Sequence, residues 1–424
     1  MRNRFKILII FFLLIFGWAI NVSQAKRYFP NDIHSDEPNW AAYSYLTFYL
    51  IAVQGKIHHD VWLLAHPHTG MTPATGKFII GAYLYANGIN AWNPKIALYD
   101  NKHTMEWNKV HGFLPDFESI RSGRKLIAFF GVGVCLFVGL ILSRISISAS
   151  WTAPLLLFFH PLFSYLSSHV LMDMIALFFS CFSFWAFLRA DESCVEGKSN
   201  RKTVLFSILS GIALATAVGT KMRELLTAFF FIAVFLLICI RKLLAVGCKK
   251  ETDHLDPIIF LLIWLSSSIF FILTNPGFYS DPTRTIALFL NLGEFHTNEM
   301  RTLYPALALR TFGDKTQAVF EVAFKDYGFF NNTFLIEIPL IIAGIYALFA
   351  KCRSKNSIQA RASIPIGIFL FIIIFGNGLW LPLRFERYFL PFVFCFLILE
   401  ALAIDDVIKF FQGLWKPSEP LRPC

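Results

Sequence analysis

Two consecutive acids, Asp36-Glu37, lead into Pro38-Asn39-Trp40. A carboxylate there could act as general base on an acceptor hydroxyl. It could equally open a helix, with Ser35 or Asp36 as N-cap, Glu37 in the first turn and Pro38 near N1. The two roles are compatible, because a cap fixes a carboxylate in place. A third acid, Asp173, stands in His169-Val170-Leu171-Met172-Asp173-Met174 at the start of an apolar run. An acid at the edge of hydrocarbon is costly, and either a function or an N-cap can account for it. Lys221 and Arg223 close one apolar run, and Arg384 and Arg387 precede another. Each could be an interfacial anchor whose charged head reaches water. Four cations converging would instead suit a phosphate or pyrophosphate group. His66 and His68 flank Pro67, and His296 follows Glu294-Phe295. Histidine with carboxylates could ligate zinc or manganese, but no Cys/His zinc spacing is present, and lone loop histidines are usually solvated.

The elements that must position these residues are membrane helices. Of 424 residues, 56% are hydrophobic and only 16% charged, with 48 phenylalanines and a mean hydropathy of +0.57. A soluble domain carries roughly a quarter charged residues. The deficit is clustered in runs of about 18 to 22 residues, long enough to cross hydrocarbon as helices. The expected spans are 5–21, 124–143, 150–166, 171–188, 203–219, 225–241, 257–274, 333–350, 363–381 and 388–405. The expected class is therefore an all-α polytopic membrane protein of about ten spans or more. The net charge of +10 is not a nucleic-acid signal, because the cations gather in short loops between apolar runs, as membrane orientation requires.

Arg2, Arg4 and Lys6 place the N-terminus in the cytoplasm, and the inner loops then hold Arg144, Arg189, Lys198, Arg201, Lys202, Arg241, Lys242, Lys351, Arg353 and Arg361. Both termini are expected inside, most simply in a prokaryotic plasma membrane. Two long outer loops result, 22–123 and 275–332, within a single domain covering 1–424. The first contains the stretches Trp40–Val53 and Phe78–Tyr85, too short or too polar to span and rich in Trp and Tyr. Helices lying at the membrane surface are expected there. Cysteines fall in spans (Cys135, Cys181, Cys239, Cys395) or in inner loops and the tail (Cys194, Cys248, Cys352, Cys424), so no disulfide framework holds the outer loops. The basic start, apolar core and Ser23-Gln24-Ala25 would also pass for a cleaved secretory signal; an uncleaved anchor is the expectation.

The order of several short segments resembles the protein O-mannosyltransferase and aminoarabinose-transferase branch of the C-type (GT-C) glycosyltransferases. Asp36-Glu37 resembles that family's acidic pair. Pro73-Ala74-Thr75-Gly76-Lys77-Phe78 resembles its His-Pro-Pro-x-Gly-Lys segment, with Ala74 for the second proline and Thr72 for the histidine. Arg121-Ser122-Gly123-Arg124, Leu171-Met172-Asp173, Gly219-Thr220-Lys221 and Arg387-Tyr388-Phe389-Leu390-Pro391 follow in the family's order. The resemblance covers roughly 1–225 and 375–400 and leaves 275–375 matched only in hydropathy. It implies transfer of a sugar, with inversion, from a polyprenyl-phosphate donor to a hydroxyl of a protein, lipid or glycan on the outer face. Lys221, Arg387, Arg384 and Arg124 would hold the donor phosphate. Asp36, with Glu37, would serve the acceptor hydroxyl, and Asp173, Lys77 and Tyr388 would line the cavity. No cofactor is assigned; a divalent cation on Asp36, Asp173 and His66 is the one candidate.

A lipid-linked-sugar flippase or other multi-span transporter is the rival class. Transporters tend to show paired repeats and broken midplane helices, whereas the ionisable residues here gather at one face beneath a long first loop. A polymerase or ligase of surface polysaccharide would be expected to carry its long loop late in the chain.

Overall fold

Backbone groups in hydrocarbon must find their partners within the segment, which leaves the apolar runs no alternative to helix. The computed structural model describes residues 17, 34, 36–56, 73–99, 103–195, 200–245, 257–287, 298, 301–329, 334–354 and 357–414. The expected span 5–21, apart from Gly17, lies outside the described residues, as do His66, His68 and His296. Among the described residues there is no strand, and an isolated antiparallel bridge joins Ala308 to Leu383.

The helices are α1 (Glu37–Phe48), α2 (Thr75–Ala86), α3 (Met105–Val110), α4 (Phe117–Leu142), α5 (Ala149–Phe159), α6 (Pro161–Ser167), α7 (Met172–Val195), α8 (Asn200–Thr220), α9 (Leu225–Ala245), α10 (Pro257–Thr274), α11 (Phe312–Phe320), α12 (Phe334–Cys352), α13 (Ser357–Trp380) and α14 (Leu390–Leu414). Among the described residues, seven stretches, within α4, α7, α8, α9, α10, α12 and α13 and the turn before α9, are long and apolar enough to cross a membrane. The protein is thus a multi-pass integral membrane protein. The expected span 150–166 is two shorter helices: His160 is extended (φ −68, ψ 127) before Pro161, because a residue preceding proline is driven out of the helical region and proline has no N–H to continue the ladder. The expected span 388–405 is α14, whose Glu400, Asp405 and Asp406 interrupt its apolar run.

α4 begins before the expected 124. Asp116 accepts from the Glu118 N–H at 3.4 Å and caps the helix. The hydropathy edge marks where charge stops and not where the helix starts, so Arg124 lies inside α4. Glycines let backbones meet where side chains would not fit: a Cβ at Gly81 would strike the Ser44 carbonyl, joining α2 to α1, and one at Gly219 would strike the Thr75 hydroxyl, joining the end of α8 to the start of α2. At the other end of the bundle, Arg361 donates to Asp191 at 2.8 Å, Lys351 to Asp406 at 2.8 Å, and Arg144 pairs with Glu192 at 2.7 Å. These pairs tie α13, α12 and the α4–α5 turn to α7 and α14.

Candidate functional site

Asp36 and Glu37 adjoin in sequence but face different partners. Asp36 precedes α1 in helical backbone geometry and makes no side-chain cap. Its carboxylate is ion-paired to Arg387 instead. Glu37 is fully buried. Arg124 grips it with Nε at 2.8 Å and Nη2 at 2.6 Å. The Val170 N–H adds 2.7 Å to Oε1 and the His34 N–H adds 2.9 Å to Oε2. Four donors leave this carboxylate little capacity for proton transfer. It is a knot between the start of α1, the first turns of α4 and the turn before α7.

Asp173 sits in the first turn of α7, buried. Lys221 donates to its Oδ1, and Arg223 Nη2 lies 3.4 Å from the same oxygen. Lys221 and Arg223 are presented by the tight turn between α8 and α9, Arg387 by the turn Glu386–Tyr388 ahead of α14. Arg223 Nη1 donates to the Arg387 carbonyl at 3.2 Å, joining the two turns. Burial pulls the Lys221 ammonium down to about 8, a fall that Asp173 opposes. Arg387 has aromatic neighbours, its guanidinium 5.4 Å from the Tyr388 ring and 5.7 Å from the Phe385 ring. His34 accepts the Asp36 N–H on Nδ1 at 3.1 Å. Burial holds this imidazole below its ordinary range, against the pull of Asp36.

The expected residues thus divide. Asp36, Asp173, Lys221 and Arg387 are brought together, with Tyr388 buried beside them. Lys77 is buried in the first turn of α2, where desolvation lowers it to about 7. A Cβ on the adjoining Gly76 would meet Thr220 and Met172, the neighbours of Lys221 and Asp173. Arg124 is committed to Glu37. Arg384 lies elsewhere, paired with Glu321 at 2.6 Å and Asp326 at 3.1 Å. With the Arg384 N–H to Leu307 and Leu309 N–H to Pro382 bonds, it fastens the segment 307–326 to the approach to α14. Two contributions were not legible in the sequence: the Arg223 bond to a main-chain carbonyl, and buried Glu224, which receives Ser180 Oγ at 2.7 Å. The one signal for either was the charge in Lys221-Met222-Arg223-Glu224.

Among the described residues no group of three His, Cys, Asp or Glu is placed to hold a metal ion. Asp36 and Asp173 both face cations of the protein, a donor set that suits an anion better than a metal.

The bundle thus gathers polar groups of both signs at one end. The fold is that of the C-type glycosyltransferases. It is shared with the oligosaccharyltransferase of Archaeoglobus fulgidus in its apo form (TM-score 0.51, 13% identity, 95% of this chain and 51% of that one). It is shared also with ArnT of Cupriavidus metallidurans bound to undecaprenyl phosphate (TM-score 0.51, 13% identity, 96% of this chain and 62% of that one). The chain spans little more than half the length of these two proteins. More particularly, residues 78–280 match the family described as dolichyl-phosphate-mannose-protein mannosyltransferase, so the resemblance read from the short motifs is borne out. No curated protein matches the chain. The matched segment carries Asp173, Lys221 and Arg223; Asp36 and Arg387 lie outside it.

Proposed function

We propose that the protein is a glycosyltransferase that moves a sugar, with inversion, from a polyprenyl-phosphate donor to an acceptor hydroxyl at the outer face of a prokaryotic plasma membrane. The observation that carries this reading is the gathering of Asp36, Asp173, Lys221, Arg223 and Arg387 at one end of the bundle from segments remote in sequence. The positive-inside pattern makes that end the outer one. About ten spans, counting 5–21, α5–α6 and α14, would surround it, with α1 and α2 lying along the interface under Trp40, Tyr43, Tyr83 and Tyr85. ArnT of C. metallidurans, with the same fold, is bound to undecaprenyl phosphate, which supports a lipid phosphate as the ligand.

In this reading the donor phosphate settles on Lys221 and Arg387, and competes with Asp36 for Arg387. Asp36, so released, orients the acceptor hydroxyl and takes its proton. The acceptor oxygen attacks the anomeric carbon from the face opposite the phosphate, the bond from that carbon to the phosphate oxygen breaks, and the electron pair leaves with the polyprenyl phosphate. Lys221 and Arg387 stabilise the charge developing there. Asp173 holds Lys221 in place and Lys77 lines the cavity. No step runs through a metal ion.

The test supplies a panel of polyprenyl-phosphate sugars and hydroxyl acceptors to purified protein, so that no transport step is needed. Transfer by the wild type, abolished in Asp36→Asn with folding intact, is expected. Asparagine keeps an acceptor for Arg387, and Asp36 makes no cap that the change could remove. Full transfer by Asp36→Asn would return the residue to a structural role. No transfer by the wild type across the panel would favour a flippase.

A further inference from the structure

Arg223 is a cation at the site whose two terminal guanidinium nitrogens are engaged by the protein, while its buried Nε has no hydrogen-bond partner. Its side chain is 3% exposed. Nη1 donates to the main-chain carbonyl of Arg387 at 3.2 Å, while Nη2 lies 3.4 Å from Asp173 Oδ1 and 3.5 Å from Glu224 Oε1. Glu224 is buried in turn, held by Ser180 Oγ at 2.7 Å, and Thr227 Oγ1 donates to Ser180 at 3.2 Å. A buried cation facing two carboxylates, one of them anchored by a hydroxyl chain, is costly to uncouple from them. Through it, the turn that presents Lys221 grips the backbone of the residue whose side chain is Arg387.

We propose that Arg223 is a positioning residue, a strut that fixes the separation of Lys221 and Arg387 and so the width of the phosphate site between them. This rests on the reading that those two cations hold the donor phosphate. Arginine suits the task because its planar fork reaches a carbonyl and a carboxylate at once, where an ammonium is a single point. The strut explains how a turn before α14 keeps register with the α8–α9 turn across a gap of more than 160 residues, the bond from Arg223 to Arg387 spanning 164. Glu224 belongs to the same device: it keeps the Arg223 charge compensated on the side away from the donor.

The test is a double-mutant cycle in the purified enzyme. Arg223→Gln should raise KM for the polyprenyl-phosphate sugar about tenfold, with KM for the acceptor unchanged. Because the strut acts through Arg387, adding Arg223→Gln to Arg387→Lys should cost no more than about twofold beyond Arg387→Lys alone, the non-additivity expected of coupled residues. Losses that multiply in the double variant, or an acceptor KM that moves with the donor KM, would overturn the strut. Should Arg223→Gln fail to fold, Arg223→Lys decides. It keeps a charge against Glu224 and Asp173 but loses the fork, so it should show a donor-specific rise in KM, and a wild-type donor KM would overturn the proposal. Absence of transfer by the wild type would sink the functional reading and the strut together, whereas wild-type transfer with multiplying losses sinks the strut alone.

Discussion

Among single residues, the clearest division of labour is between Asp36 and Glu37. Adjacent positions at a helix start point in different directions, and here one carboxylate meets a cation from the turn ahead of α14 while the other is sealed against Arg124. The sequence identifies both as acids at the site but cannot say which is sealed, because that depends on where α4 passes. Lys221 gives the pH dependence of the site. Burial lowers it from 10.5 to about 8, so its positive charge is present below that value and lost as the pH rises through it. KM for the donor should therefore rise above pH 8, followed by initial rates at saturating acceptor. Between about 8 and 10.5 the unfolded chain keeps a proton that the folded chain has released, so the cost that burying this charge imposes on folding is relieved as the pH rises through that window. A fall in donor affinity there is accordingly a loss of binding and not of fold. A donor KM flat from pH 7 to 9.5 would remove Lys221 from the phosphate site.

Between elements, the Glu37–Arg124 pair joins α1 to α4, and through the Val170 N–H to the turn before α7. Removing one partner of a buried pair strands the other, at a cost of about 3–5 kcal/mol. Glu37→Gln should lower the thermal unfolding temperature of the detergent-solubilised protein clearly, while Asp36→Asn leaves it near wild type. Equal effects on unfolding would mean that Glu37 is no knot. Arg124 and Arg384 show what the sequence could not resolve. Both are cations near the ends of apolar runs, as Lys221 and Arg387 are, and hydropathy sorts charges by depth without pairing them. Arg124 fell inside a helix that Asp116 had started early, and Arg384 fell to Glu321 and Asp326 on a segment with no readable periodicity.

Across the whole molecule, the helical pattern was legible because hydrocarbon permits little else: 257–274 was read to the residue, and six further expected spans correspond to stretches able to cross a membrane. The departures came where a proline broke a run at His160-Pro161 and where acids entered α14. The proposed orientation rests on the positive-inside pattern and is open to labelling. A cysteine introduced by Glu106→Cys, exposed on α3, should react with a membrane-impermeant maleimide in intact cells, and one introduced by Arg353→Cys, exposed after α12, should not, each compared with the parent protein. The reverse pattern would place the site in the cytoplasm. Convergence of remote segments on one phosphate is the central claim, and Arg387, brought by the last of these segments, tests it most directly. The measurement is the rate of sugar transfer from a polyprenyl-phosphate donor by purified wild type and by Arg387→Lys. A clamp that grips an oxyanion through paired hydrogen bonds cannot be replaced by lysine, so the rate should fall at least about tenfold, or roughly 1.4 kcal/mol, with thermal stability unchanged. A lysine variant that turns over at the wild-type rate would show that Arg387 is only a membrane anchor, and would contradict the account.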